Sequence, residues 1–287
     1  MKPYVITTDS CADLPESWLQ EHEVRMVWLS CLLDGEVYND TNPLSAEELY
    51  EKLRGGAMPT TSQVNPDQAR AMFEPILKEG KDILHIAFSS GLSGSCQSAV
   101  IAAGELMEEY PDRKIIVVDS LMAASGQGLL VCRAVQKKED GMSLDDLAAW
   151  CEENKGKVAA YVLVEDLFHL QRGGRVSKSS AVLGSMIGIK PILRVDEGGK
   201  LEVIGKIRGR KKAIQTIIEK ITSNMQKDES TIFLSHGDCL EEAEQIRQKL
   251  IEEYGIKETM INVLGPVIGA HTGAGVLAIF AFCNDRK

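Results

Sequence analysis

The residues best suited to chemistry form a serine- and glycine-rich loop in the first half of the chain. Residues 89–95 read Ser-Ser-Gly-Leu-Ser-Gly-Ser; they follow an apolar run at 82–88 and precede a helical pattern at 96–106. The apolar run predicts a buried strand. A strand, a tight turn and a helix would place four hydroxyls and several unpaired N–H groups at the positive end of a helix dipole. This pattern predicts an anion site, although helix capping alone also uses such serines.

Ser93 and His271 are candidates for nucleophilic chemistry. The segment 91–95 is one residue short of the hydrolase elbow G-x-S-x-G, because Ser95 stands in place of the last glycine. His271 lies late in the chain, as a hydrolase base would, within a Gly-rich segment at 265–275 that we expect to be a loop. No motif provides an acid partner. A serine hydrolase or esterase using Ser93 and His271 therefore stays open as an alternative to a pure binding site.

Other classes of site are poorly supported by the sequence. The serine loop has no G-K-[ST], so it is not a P-loop, and no G-x-G-x-x-G follows the first strand to seat a dinucleotide. His169 and His236 lack metal-ligand spacing to other histidines or cysteines. We therefore expect neither a metal nor a cofactor.

Charge and composition indicate a soluble protein of a reducing compartment. The formal net charge of −10 would repel nucleic acid and anionic membrane, and the basic run at 206–212 is more typical of a solvated face than of a nucleic-acid site. The seven scattered cysteines contain no C-x-x-C pair. No apolar run approaches the ~18 residues of a membrane span, and the N-terminus lacks a signal-peptide core. We expect a cytoplasmic protein without a nucleic-acid partner.

Short apolar runs alternate with helical patterns along the chain. This alternation predicts a parallel sheet covered on both faces, with ligands at the carboxyl ends of its strands. The polar segments 8–10, 89–95 and 119–120 would gather there. The polar stretch 154–157 predicts a boundary between an N-terminal domain, 1–156, and a C-terminal domain, 157–287.

Two further segments are candidates for the site. Residues 58–63 form a polar stretch with three consecutive hydroxyls, which we expect to be a loop between two helices. Residues 179–189 contain no charged residue. Such a segment is typical of core or of a close helix contact, and it could also line an apolar pocket. An anion site, a late histidine and an apolar region together suit an amphiphile with an anionic head and a long apolar tail.

The chain resembles the DegV family. The segments that carry the resemblance are 1–10, Pro-Thr-Thr-Ser-Gln at 59–63, the serine loop 89–95, Gly-Gly-Arg-Val at 173–176, and 265–275. They occur in the family's order and with similar spacing over the whole chain. The resemblance implies a two-domain α/β fold: an N-terminal three-layer α/β/α parallel sheet, a C-terminal two-layer α/β mixed sheet, and a fatty acid buried between them.

The resemblance also implies a function and its residues. Members of the type that serves bacterial fatty acid kinase hold a long-chain fatty acid while a separate kinase subunit phosphorylates its carboxylate, so the chain itself would have no catalytic residue. Arg175 and Arg208 are implied to face the kinase, and we expect Arg175, directly after two glycines, to project freely. Ser95 and Ala274 depart from the family's usual Thr and Pro. The implied ligand-binding residues are Thr61, Ser62, Ser93, Gly94, Ser95, His271 and Thr272.

Overall fold

Three β-sheets organise the part of the chain that the computed structural model describes, residues 2–177 and 188–286. The strands are β1 (Tyr4–Asp9), β2 (Arg25–Val27), β3 (Ser30–Leu33), β4 (Glu36–Tyr38), β5 (Thr60–Ser62), β6 (Asp82–Ala87), β7 (Ile115–Asp119), β8 (Val158–Leu163), β9 (Ile189–Val195), β10 (Leu201–Arg208), β11 (Thr231–His236), β12 (Glu258–Val263) and β13 (Leu277–Phe282). The helices are α1 (Glu16–Glu21), α2 (Ala46–Arg54), α3 (Pro66–Lys78), α4 (Ser95–Glu109), α5 (Ala124–Glu139), α6 (Leu144–Asn154), α7 (Phe168–Arg172), α8 (Arg210–Asn224), α9 (Leu240–Tyr254) and α10 (Pro266–Thr272).

The first sheet is parallel and has helices on both faces. Its strand order is β2-β1-β6-β7, and every residue of β1 and β6 is buried. Ile83 packs in the cluster with Phe73 of α3 and Ala99 of α4, whereas its neighbour Leu84 packs with Leu129 of α5. Successive side chains of a strand point to opposite faces, so the two clusters lie on opposite sides of the sheet. The sequence prediction of a covered parallel sheet is confirmed.

The second sheet is mixed and is covered by helices on one face. Its order is β10-β9-β8-β13-β11-β12, with β11 and β12 parallel and the other pairs antiparallel. Ile279 packs beneath Ile217 of α8 and Ile246 of α9. The neighbouring Phe280 packs instead in the core cluster that includes α5. The second face of this sheet therefore turns towards the N-terminal half. The predicted division at 156/157 falls just before β8.

Two segments expected to be loops have regular structure. Thr60–Ser62 forms β5, which pairs antiparallel with β3 in a three-stranded sheet of order β4-β3-β5. Residues 266–272 form α10, with Pro266 at its first turn. β5 is stabilised by β3, a partner strand distant in sequence. The sequence signal for α10 was Pro266 at the first helical position. Most of the uncharged segment 179–189 lies outside the described residues.

Helix length and polarity bear on membrane insertion. Among the described residues, no helix is both long enough and apolar enough to cross a membrane.

Candidate functional site

The carboxyl ends of β1, β6 and β7 meet around the serine loop, as the sequence predicts. Asp9, at the end of β1, accepts hydrogen bonds from the N–H groups of Phe88 at 2.6 Å and Cys11 at 3.0 Å. Asp119, at the end of β7, accepts from the N–H of Ser90 at 3.1 Å. Burial raises the pKa of Asp9 to about 6, although both N–H groups oppose this shift. The two carboxyl groups hold the start of the loop in place.

Hydrogen bonds within the loop turn its middle towards the start of α4. The carbonyl of Ser89 accepts from the N–H groups of Leu92 at 3.0 Å and Ser93 at 3.1 Å. The Ser93 and Ser95 hydroxyls are 3.0 Å apart, and Ser95 also accepts from the N–H of Val64 at 3.1 Å. Ser95 is thus buried and occupied with local contacts.

Gly94 lies directly before α4. Among the described residues, its N–H donates to no protein acceptor. A Cβ atom at this position would lie 2.3 Å from Oε1 of Gln63, so any other residue here would require the Gln63 side chain to move. The Gly94 N–H is therefore available to an anion at the end of the loop.

The loop opens onto a cavity with one polar end and apolar walls. The polar side chains that line it are Thr61, Gln63, Ser93, Arg175, His271 and Thr272. The apolar lining consists of Leu29, Phe88, Leu92, Ala123, Ala124, Val162, Leu170, Val195, Leu201, Leu264, Val267, Ile268, Val276, Ala278 and Phe280. Both halves of the chain contribute to this lining.

His271, on α10, has a strongly lowered pKa. Its Nε2 shares a 2.8 Å hydrogen bond with the hydroxyl of Thr61. Burial, followed by the positive charges of Arg175 and Arg172, lowers the pKa of His271 to about 4. The imidazole is therefore neutral at neutral pH. Burial would penalise an anion here as it does the imidazolium, whereas the positive charges of Arg175 and Arg172 would favour an anion.

The other nitrogen of His271 packs against glycine. Nδ1 is buried and has no hydrogen-bond partner among the described residues. A Cβ atom at Gly173 would lie 2.1 Å from Nδ1, so any other residue at this position would displace the ring. This contact gives a physical reason for glycine in the segment before Arg175.

Arg175 lines the cavity. Its position after two glycines had suggested instead that it projects freely from the surface. Its Nε donates to the carbonyl of Leu92 at 3.2 Å, and the side chain is partly buried. Burial lowers the pKa of the guanidinium. A partly desolvated positive charge therefore lies on the same cavity as Ser93 and His271.

The remaining predicted residues have different surroundings. Ser62 is exposed and does not line the cavity, since it follows Thr61 on β5 and adjacent strand residues point to opposite faces. Thr272 lines the cavity, but its hydroxyl donates to the carbonyl of Ile268 at 3.0 Å. Arg208 is exposed at the end of β10.

Gln63 and Arg172 are residues of the site that the sequence interpretation missed. Gln63 lines the cavity beside Gly94. Arg172 donates to the carbonyls of Pro59 at 2.8 Å and Ala270 at 3.2 Å, and so joins the segments that carry Thr61 and His271. Gln63 lay within the polar segment already selected, whereas nothing local to Arg172 indicated its partners.

The geometry does not assemble the parts of a serine hydrolase. His271 bonds to Thr61, and Ser93 bonds to Ser95. Within residues 2–177 and 188–286, no carboxylate accepts from Nδ1 of His271, so nothing orients the ring as a general base. The same residues contain no group of three or more His, Cys, Asp or Glu side chains arranged to hold a metal ion. The site offers hydrogen-bond donors, positive charge and apolar walls.

Comparison with known proteins gives consistent matches over the whole chain. The family model described as "Uncharacterised protein, DegV family" matches residues 3–284. A DegV domain-containing protein of Clostridium perfringens is 44% identical over 290 residues, covering 100% of this chain and 99% of the relative.

Solved structures similar to this chain include two proteins described as fatty-acid binding. A DegV family protein from Thermus thermophilus, described by its fatty acid binding, has 32% identity and a TM-score of 0.87, covering 99% of this chain and 100% of that one. A stearic acid-binding protein from Eubacterium ventriosum has 26% identity and a TM-score of 0.88, covering 97% of this chain and 98% of that one. With these matches and the observed sheets, the chain belongs to the DegV family and has its two-sheet α/β fold.

Proposed function

We propose that this protein binds a long-chain fatty acid and is not itself a catalyst. The observation that carries the proposal is the cavity, whose one polar end adjoins a long apolar lining. A fatty acid has the same division, with one anionic head and a chain of methylenes. The apolar walls would take the tail, and the polar end would take the carboxylate.

The polar end has what a desolvated carboxylate needs. Burying an ionised carboxylate is very costly unless hydrogen bonds and opposite charge compensate it. Ser93 and the Gly94 N–H can donate. In the tautomer with a proton on Nε2, His271 donates to Thr61, and the Thr61 hydroxyl can then donate to the carboxylate. Arg175 adds positive charge on the same cavity. These groups recognise an anion without requiring an activated nucleophile.

The relatives support the same ligand class. The Thermus thermophilus protein is described by fatty acid binding, and the Eubacterium ventriosum protein by binding stearic acid. Both resemble this chain over nearly its full length. A saturated or monounsaturated long-chain acid is therefore the first ligand to test.

The direct test is to extract the purified protein with organic solvent and to identify the lipid by mass spectrometry. We expect a long-chain fatty acid in near-stoichiometric amount. A fluorophosphonate probe should leave Ser93 unlabelled, because none of the described residues orients a base towards it. Absence of lipid together with no binding of a fluorescent fatty acid would refute the proposal, and labelling of Ser93 would revive the hydrolase.

We propose further that the bound carboxylate is presented to a separate kinase subunit, which forms the acyl-phosphate. Arg208 is exposed, as a contact with a partner requires. Arg175 lies at the cavity, where its guanidinium can pair with a carboxylate or phosphate in a bidentate manner. It would then act where head group and kinase meet.

The kinase proposal is tested with Arg175→Ala and Arg208→Ala and a candidate kinase from the same cell. Both variants should lose most of the turnover to acyl-phosphate. Arg208→Ala should bind lipid as the wild type does, and Arg175→Ala should retain lipid with weaker affinity, because Arg175 lines the cavity. Lys206→Ala is a matched control, since Lys206 is another exposed cation of β10. Equal loss of lipid binding and turnover in Arg175→Ala would show that Arg175 acts only on the bound head group and not on the kinase.

A further inference from the structure

The helix that carries His271 is held at its N-terminal end by residues from the other half of the chain. α10 begins at Pro266, directly after Leu264 and Gly265. Two polar side chains from the first fifty residues bond to that pair. They lie outside the predicted site, and neither lines the cavity.

Tyr50 provides the first of these contacts. Its hydroxyl donates to the carbonyl of Leu264 at 3.1 Å, and the residue is completely buried. The phenol also packs against the middle of α10, because a Cβ atom at Gly269 would lie 2.8 Å from the Tyr50 hydroxyl oxygen and 2.6 Å from Leu49. Both the hydroxyl and the ring of Tyr50 therefore determine how closely α10 packs against α2.

Asp13 provides the second contact. Its Oδ1 accepts from the N–H of Gly265 at 3.0 Å, directly before the first turn of α10. Its backbone has a left-handed φ of +48°, which Asp and Asn tolerate better than most residues. Burial raises the pKa of Asp13 to about 8, and the Gly265 N–H opposes this shift. Asp13 and Tyr50 thus form hydrogen bonds with the adjacent residues Gly265 and Leu264, directly before α10.

We propose that Tyr50 and Asp13 are positioning residues that set the preference of the cavity for an acid, through the placement of His271. The inference rests on the proposed fatty-acid function. α10 has only seven residues, so a shift at Leu264–Gly265 is carried to His271 within two turns. In the tautomer with a proton on Nε2, His271 donates to Thr61 at 2.8 Å, and this bond leaves the Thr61 hydroxyl proton free for a carboxylate. A small displacement would therefore weaken recognition of the head. Because Val267 and Ile268 of α10 also line the apolar wall, hexadecanol should lose some affinity as well, but less than the acid.

Tyr50→Phe tests the proposal, because it removes the hydroxyl and keeps the ring. Dissociation constants are measured for hexadecanoic acid and hexadecanol by displacement of a fluorescent fatty acid. We expect the acid-over-alcohol preference to fall by roughly three- to tenfold, as for one ordinary hydrogen bond. Asp13→Asn, which keeps the acceptor oxygen, should retain most of the preference.

Tyr4→Phe is the matched control. Tyr4 is also buried in the core, and its hydroxyl donates to a backbone carbonyl, that of Met142, at 2.8 Å. Both tyrosine variants should lower the melting temperature, but only Tyr50→Phe should change the preference. In a His271→Ala background, Tyr50→Phe should have no further effect on it. A preference unchanged in Tyr50→Phe, or lowered equally in both backgrounds, would overturn the inference.

A readout without lipid separates this inference from the proposed function. The ¹⁵N chemical shift of Nε2 in His271 reports its hydrogen bond to Thr61. We expect Tyr50→Phe to move this shift and Tyr4→Phe to leave it in place. If the wild-type protein binds no fatty acid, the proposed function fails, and this shift still decides whether Tyr50 positions His271.

Discussion

The polar end and the apolar wall of the cavity are built in different ways. Thr61, Ser93 and His271 come from a three-residue strand, a turn and a seven-residue helix. The wall instead includes residues on long strands of the second sheet, such as Ala278 and Phe280 on β13. The polar end therefore depends on contacts between distant segments, whereas five of the fifteen described apolar lining residues lie on one regular sheet, namely Val162, Val195, Leu201, Ala278 and Phe280.

The two regions also differ in what they can contribute to binding. A chain of roughly fifteen methylenes, at ~0.8 kcal/mol each, offers about 12 kcal/mol of gross transfer free energy. Ordering of the ligand consumes several kcal/mol of this. A hydrogen bond to a charged head contributes about 1.5–3 kcal/mol. The wall would thus provide most of the affinity, and the polar end would select an acid.

A junction at the start of the serine loop joins the N-terminal and C-terminal halves of the chain. The Ser89 hydroxyl donates to the carbonyl of Gly199, in the turn between β9 and β10, at 2.7 Å. A Cβ atom at Gly199 would lie 2.1 Å from that hydroxyl oxygen. Arg286 donates to the carbonyls of Leu121 at 2.8 Å and Asp196 at 3.2 Å, one from each half. Variants that test the polar end and the apolar wall separately must therefore leave Ser89, Gly199 and Arg286 unchanged.

The largest effect is expected from filling the wall. Ala278→Leu adds volume on the cavity face of β13, where Ala278 is buried. We expect the affinities for hexadecanoic acid and hexadecanol to fall together by at least tenfold, because the lost space accommodates the tail that both ligands share. Displacement of a fluorescent fatty acid measures both constants.

Ala281→Leu is the control for Ala278→Leu. Ala281 is buried on the same strand but belongs to the cluster beneath α8 and α9. Overpacking a core costs about 1–3 kcal/mol, so both variants should melt earlier. Only Ala278→Leu should lose ligand. If Ala281→Leu weakens binding as much, the effect comes from general destabilisation, and the tail does not lie along β13.

Local signals in the sequence were sufficient for most of the scaffold. Asn65 and Pro66 predict the start of α3, and the structure has Asn65 as N-cap with a reciprocal bond to Gln68. Asp34-Gly35 predicts the turn between β3 and β4. Capping and turn formation depend on neighbours within a few residues, so such patterns can be recognised without the fold.

The site was predicted less completely because its geometry depends on distant pairs. Thr61 and His271 were named from the resemblance, but their direct hydrogen bond spans 210 residues. Arg175 was expected to project freely, and its bond to Leu92 closes a contact across 83 residues. Gly173 was part of a motif, but its packing against His271 became visible only once α7 and α10 were adjacent. No local pattern encodes these contacts.

A smaller and more selective effect is expected from the polar end. His271→Ala removes the partner whose N–H leaves the Thr61 hydroxyl free to donate to the carboxylate, but it removes no large apolar group. We expect fatty-acid binding to weaken by about 1.5–3 kcal/mol, the range of a hydrogen bond to a charged group. The fold should survive, which circular dichroism and the melting temperature would show.

Hexadecanol decides whether His271 acts on the head group. The alcohol shares the tail and the wall contacts but carries no charge, so its affinity should change little in His271→Ala. The preference for acid over alcohol should therefore narrow by nearly the whole loss in acid binding. In Ala278→Leu, by contrast, the preference should persist while both affinities fall. An unchanged preference in His271→Ala would show that neither His271 nor Thr61 acts on the carboxylate and that the head group lies elsewhere on the cavity.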